Sequence, residues 1–153
     1  MKKFNGIVPL LLCFTACQPI DVFEKNVSIP GFAWASDFKP EVSFEITDTT
    51  SLYTTFIVLR HMDAYRYKNM WVNVHIKPPS GPERVLRAEL KLATDEKGWL
   101  GSGMDDIFEH RIQLTSPEPL VAGTYTIRLE NIMREDPLKN VMDVGIRLEK
   151  SPK

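Results

Sequence analysis

Val42, Phe44 and Ile46 alternate with Ser43, Glu45 and Thr47. A period of two sends successive side chains to opposite faces, so the segment predicts a half-buried strand, with Asp48-Thr49-Thr50 turning the chain behind it. The pattern recurs. Met70, Val72, Val74 and Ile76 alternate with Trp71, Asn73, His75 and Lys77. Leu86, Ala88, Leu90 and Leu92 share a face, as do Phe108, His110, Ile112 and Leu114, and Tyr125, Ile127 and Leu129. Met142, Val144, Ile146 and Leu148 alternate with Asp143, Gly145, Arg147 and Glu149. Val22 to Ile29 is a first strand candidate, ended by Pro30-Gly31. Tyr53 to Arg60 is apolar on both faces and rich in β-branched residues, which predicts a central strand. A longer connection, Thr94 to Asp106, carries Trp99 and two glycines, and only Asn131 to Asn140 has room for a helical turn, kept short by Pro137. The chain therefore predicts an all-β fold: a single antiparallel β-sandwich of Greek-key or jelly-roll type, with about eight strands.

The first residues break this pattern. Lys2 and Lys3 precede a short apolar run, Ile7 to Phe14, which is far below the length of about 20 residues that spans a bilayer. Residues 1–16 read as a secretory signal. Both cysteines of the chain, Cys13 and Cys17, flank the end of this stretch, four positions apart, a spacing unlike that of a disulfide framework. Phe14-Thr15-Ala16-Cys17 resembles a bacterial lipoprotein box, in which the cysteine is acylated, the chain is cut before it, and the new amine is acylated in turn. Cys13 then leaves with the signal, and Cys17 carries covalent lipid, palmitate among it. Two or more acyl chains hold a protein stably to a membrane. Residues 17–21 become a tether and 22–150 the β-sandwich domain. Gln18 after the cysteine, and no acidic run in the residues that follow, place the domain by resemblance on the outer membrane, facing the periplasm.

With Lys2 and Lys3 removed from the 19 basic residues, 17 stand against 20 acidic ones. That balance argues against nucleic acid. The sequence shows no nucleophile elbow, zinc-protease helix, phosphate loop or paired-cysteine motif. A hydrolase would have to draw on scattered carboxylates such as Asp63, Asp105 and Asp106. His61, His75 and His110 lie on separate strands or strand ends, and His110, in phase with Phe108 and Ile112, reads as a satisfied core histidine; no metal is expected. Asp105-Asp106 after Gly101-Ser102-Gly103 reads as a polar turn rather than a calcium loop. No catalytic residue and no cofactor beyond the Cys17 lipid are assigned.

The aromatic residues carry more. Tyr65, Tyr67 and Trp71 cluster, and with Val72, Val74 and Ile76 inward, Trp71, Asn73 and His75 stand in a row on the opposite face. Three readings are open for this row: Trp71 packed under a loop, a protein-binding patch, or a surface that stacks a sugar and holds its hydroxyls. Arg134, Glu135 and Asp136 form a turn before the last strand, either an interaction turn or an arginine–carboxylate closure. Gly145 lacks a side chain where the strand would show one outward, which predicts close approach by another backbone, in the protein itself or a partner.

Three stretches look like the gliding-motility lipoprotein GldH family of Bacteroidetes. They are Arg60 with Tyr65-Arg66-Tyr67-Lys68-Asn69-Met70-Trp71, then Trp99-Leu100-Gly101-Ser102-Gly103. The third runs from Gly123-Thr124-Tyr125 through Met133-Arg134-Glu135-Asp136-Pro137-Leu138 to Asp143-Val144-Gly145-Ile146. Met104-Asp105 and Lys68 depart from the pattern. The resemblance implies an outer-membrane lipoprotein of the gliding machinery, tied to type IX secretion, with envelope motility or secretion proteins as partners and no enzymatic activity. The rival expectation is an envelope module that binds peptidoglycan or another glycan through Trp71, Asn73 and His75.

Overall fold

The computed structural model of the chain describes residues 22–152. Eight strands of six residues or more form where the alternation is strongest. They are β1 (Val22–Ser28), β2 (Glu41–Ile46), β3 (Leu52–Met62), β4 (Asn69–Lys77), β5 (Arg84–Lys91), β6 (Ile107–Gln113), β7 (Gly123–Asn131) and β8 (Val141–Ser151). Six shorter segments add to them: Ala33–Trp34, Ala93–Thr94, Gly98–Trp99, Ser102–Met104, Glu118–Pro119 and Leu138–Lys139. The described residues thus hold more strands than the eight expected, because residues of the connections pair with one another or with a long strand's edge to satisfy their own backbone groups.

One sheet has the order β1-β8-β3-β6, extended past β6 by Ser102–Met104; the other has the order β2-β7-β4-β5. All pairs are antiparallel. The partnerships β1–β8, β2–β7, β3–β6 and β4–β5 are those of one long two-stranded ribbon rolled up, the jelly-roll arrangement. The sheets close over Val42, Phe44, Ile46, Met70, Val72, Val74, Ile76, Ile127 and Leu129 from one side and Ile57, Leu59, Val144, Ile146 and Leu148 from the other, all buried. Phe44 stacks on Tyr125 at 5.6 Å between ring centres and meets Phe23 at 5.5 Å. β3 lies inside its sheet between β8 and β6, as its two apolar faces require.

The register defines two ends. Val22, Ile46, Leu52, Lys77, Arg84, Gly123 and Ser151 lie at the near end, where the described chain enters. Ser28, Glu41, Met62, Asn69, Lys91, Asn131 and Val141 lie at the far end. Trp34 plugs the far end, fully buried, and donates its Nε1–H to the Phe38 carbonyl at 2.8 Å.

Two local expectations are corrected. Asn131 to Asn140 makes no helical turn; Leu138 is drawn into the core and pairs beside Trp34, while the Asp136 carboxylate accepts from Ser36 N and Oγ at 2.9 and 2.6 Å. The helical turn falls instead at Pro30–Phe32. In β8 the register shifts between Val141 and Asp143, so Val141 is buried and Met142 is only partly covered, out of the phase its spacing suggested. Gly145 behaves as expected, and the backbone that approaches is the chain's own: an added Cβ would lie 2.7 Å from Asn26 Cα and closer still to the Lys25 carbonyl oxygen.

Candidate functional site

At the far end the chain gathers its least ordinary chemistry in two adjoining places. The first is buried. His61 Nδ1 faces the Met62 carbonyl at 2.9 Å, and His61 Nε2 faces His110 Nε2 at 2.9 Å. A carbonyl only accepts, so His61 Nδ1 carries the proton, and His110 Nε2–H donates to the bare His61 Nε2. His61 is 0% exposed and His110 3%. Burial pushes the His61 pKa down. Burial, then the neighbouring His61, brings His110 down to about 4. Trp99 meets His61 edge-on at 4.4 Å, Tyr65 and Phe108 pack around it, and Trp99 Nε1–H donates to Asp63 Oδ1 at 2.7 Å. The glycine loop is shaped to this cluster: a Cβ at Gly101 would meet His110 Cε1 at 2.9 Å, and one at Gly103 would meet Phe108 Cε1 at 2.7 Å.

Sequence spacing did not show that His61 and His110 meet. They sit on the neighbouring strands β3 and β6, and register alone makes Phe108 the direct partner of His61 and Leu59 that of His110. The two rings bond each other, and the described residues hold no cluster of three or more potential metal ligands.

The second place is a groove of about 300 Å³ lined by Tyr67, Trp71, Arg87, Ile132, Met133 and Arg134. It forms where the chain leaving β7 runs beside the start of β4: Ile132 N donates to the Trp71 carbonyl at 3.1 Å, and Trp71 N donates to Met133 Sδ at 3.3 Å. Arg87 holds its guanidinium 5.1 Å over the Trp71 ring. Tyr67 Oη–H donates to Glu135 at 2.7 Å, and that bond raises the phenol pKa.

The nominated residues divide between these places. Tyr67, Trp71 and Arg134 come together in the groove, with Glu135 attached through Tyr67. Asp136 turns away to Ser36, and that hydroxyl with its neighbouring amide lowers its pKa. Hence no arginine–carboxylate pair closes the turn. Tyr65 does not belong to a surface: it is 4% exposed, gives its hydroxyl hydrogen to the Asn69 carbonyl at 3.0 Å, and burial raises its pKa. Trp71 points outward, with Arg87 over its ring. Asn73 and His75 extend the row as expected, but both bond Glu130, at 3.0 and 3.1 Å, and His75 also faces Glu83 at 3.2 Å. With Lys39 first, then Asn73 and His75, these contacts hold the Glu130 carboxyl down at about 2. The Asn73 amide nitrogen and both His75 ring nitrogens are therefore already engaged within the protein. The sequence pattern does not mark Arg87, Ile132 or Met133 as site residues. Arg87 was legible in principle, since it shares the outward face of β5 with Glu89, the register partner of Trp71.

The stretches singled out in the sequence join here. Arg60 gives Nε and a terminal nitrogen to Asp143 Oδ2 at 2.8 and 2.5 Å, linking β3 to β8 and raising the arginine pKa. The sequence matches the model of the GldH lipoprotein family over residues 21–148. The chain belongs to the GldH lipoprotein family. The gliding motility lipoprotein GldH of Flavobacterium johnsoniae is 29% identical, over 96% of each chain. A gliding motility lipoprotein GldH homolog of Christiangramia forsetii is 27% identical, over 92% of this chain and 91% of its own. Among solved structures, the infectious bursal disease virus VP2 subviral particle aligns over 97% of this chain and 38% of its own at 12% identity and a TM-score of 0.31, too low for any argument. GldH lipoproteins are not a known enzyme family. Among the described residues no helix is long and apolar enough to cross a membrane. The signal, Cys17 and the tether lie outside the described residues.

Proposed function

We propose that the chain is a lipid-anchored, non-enzymatic interaction component of the gliding machinery and its type IX secretion apparatus. It is held on the outer membrane by Cys17 and faces the periplasm. One observation carries this reading. Strand β1 begins at Val22, five residues after Cys17 in the sequence, and the groove with Tyr67, Trp71 and Arg134 opens at the other end of the sandwich. From Trp71 to Lys77, β4 alone runs roughly 20 Å at about 3.3 Å per residue. An anchor at one end and a half-buried tryptophan with arginines at the other suit a domain that presents a docking face away from its membrane. Trp, Tyr and Arg are the residue types on which interface energy concentrates.

The test is cross-linking in the native cells followed by purification and mass spectrometry, comparing wild type with Trp71→Ala, Arg134→Ala and Cys17→Ala. Truncating a central tryptophan or arginine costs about 2 kcal/mol or more, roughly 30-fold in affinity, so both surface variants should fold normally and lose a defined motility or secretion partner. Cys17→Ala should lose it by leaving the membrane. Recovery of the same partners by both surface variants sinks the docking face; recovery of wall material alone moves the glycan-binding reading ahead.

A further inference from the structure

The chain has eight arginines, all among the described residues. Five are in ion pairs: Arg60 with Asp143, Arg84 with Glu118, Arg111 with Glu109, Arg128 with Glu83, and Arg147 with Glu24 and Glu149. Of the three without a carboxylate partner, Arg87 and Arg134 line the groove, and Arg66 is the chain neighbour of Tyr67, whose phenol it acts on. In a chain of net charge −1 this concentration does not follow from composition.

The carboxylates on the adjoining strands and turn already accept hydrogen bonds from other side chains. Glu135 accepts from Tyr67, Glu89 from Asn69 at 2.6 Å, and Glu130 from Lys39, Asn73 and His75. Between the arginines the floor is apolar, made by Trp71, Ile132 and Met133. Methionine adapts its shape to what it covers. Arg87, stacked on Trp71, keeps its planar donor fork held and free at the edge, which suits a carboxylate better than a mobile lysine would.

We infer that this groove takes an acidic segment of a partner protein, with one apolar side chain seated on Trp71 and Met133 and flanking carboxylates bound by Arg87 and Arg134. The inference rests on the interaction reading above and adds the chemistry of the partner. A volume near 300 Å³ holds one or two side chains rather than a folded surface. Glu89 is the cross-strand partner of Trp71, Glu130 that of Asn73, and Glu135 holds Tyr67. They would repel a continuous polyanion, but leave room for isolated carboxylates beside an apolar residue.

The probe is an acetylated, amidated pentapeptide with a central leucine between two glutamates on each side. It is titrated into the full chain in non-ionic detergent, with methionine methyl groups labelled and Met133 assigned by Met133→Leu. The Met133 methyl signal should shift saturably. Arg87→Ala and Arg134→Ala should each weaken binding about tenfold, as expected for a lost charge-assisted hydrogen bond. Added salt should weaken it too, and the lysine version of the peptide should leave the signal unmoved. The other methionine signals report that each variant is folded. No shift with the acidic peptide up to about 10 mM, a limit that corresponds to under 3 kcal/mol of binding, overturns the inference. So does an equal response to the lysine peptide, or tighter binding of trigalacturonate or a short oligonucleotide. If the peptide fails while Trp71→Ala still loses its captured partner in cells, the docking face stands and its acidic ligand falls.

Discussion

Acidification should loosen the domain through the buried histidine pair before any carboxylate is touched. In the folded chain His61 and His110 are neutral, bonded to each other, and covered by Trp99, Tyr65 and Phe108. Among the groups facing them, Asp63 is a carboxylate and favours the charged His61, but burial outweighs it. An unfolded histidine titrates near 6.5. His110 titrates at about 4 when folded. Between these values the unfolded chain binds the proton and the folded chain does not, so stability is complete above pH 6.5 and falls as pH drops toward 4. A gap of about 2.5 units at 1.36 kcal/mol each is about 3 kcal/mol from His110, and His61 adds to it in the same direction. Against the 5–15 kcal/mol typical of a domain, that loss is measurable. Urea unfolding followed by tryptophan fluorescence at pH 7.5, 6.5, 5.5 and 4.5 gives the slope, and His110→Gln supplies the control. Its amide can still donate to His61 Nε2 but takes no proton, so it should start less stable at pH 7.5 and lose less on acidification. Parallel curves for the two proteins between pH 6.5 and 4.5 would refute the argument. A loss beginning only below pH 4 would do the same, since that window belongs to carboxylates such as Glu130, held at about 2.

Two further outcomes test the scaffold. Arg60→Ala leaves the Asp143 carboxylate 4% exposed with no cation, its Oδ1 having no partner even now, and should cost about 3 kcal/mol or more in chemical denaturation. Gly145→Ala forces a Cβ into Asn26 and the Lys25 carbonyl and should cost about 1–3 kcal/mol by the same assay. Asn26→Gly should not restore it, because the Lys25 backbone still stands in the way.

The pattern of apolar and polar residues by itself determined the eight long strands, six of them by alternation, and the inward faces of β2, β4 and β7, because a period of two admits no other burial. It also determined that Trp71, Asn73 and His75 share an outward row and that Gly145 marks a close approach. The hydrophobic period carries less at the ends of strands. The shift at Val141–Asp143 and the path of Leu138 beside Trp34 depend on what the opposite sheet has left to fill, and no local signal announces either.

The site was legible in part for the same reason. Tyr67 and Trp71 are close in sequence, and Arg134 belonged to a turn worth noticing, but their union with Arg87 and Met133 needed the rolled ribbon to bring β5 and the end of β7 to either side of β4. The His61–His110 bond spans 49 positions, and Asn73 and His75 look free until Glu130 arrives from β7. Sequence fixes which side chains a strand turns outward, since that is a property of one backbone. Which of those side chains remain unpaired is a property of the neighbours, and only the folded sheets supply them.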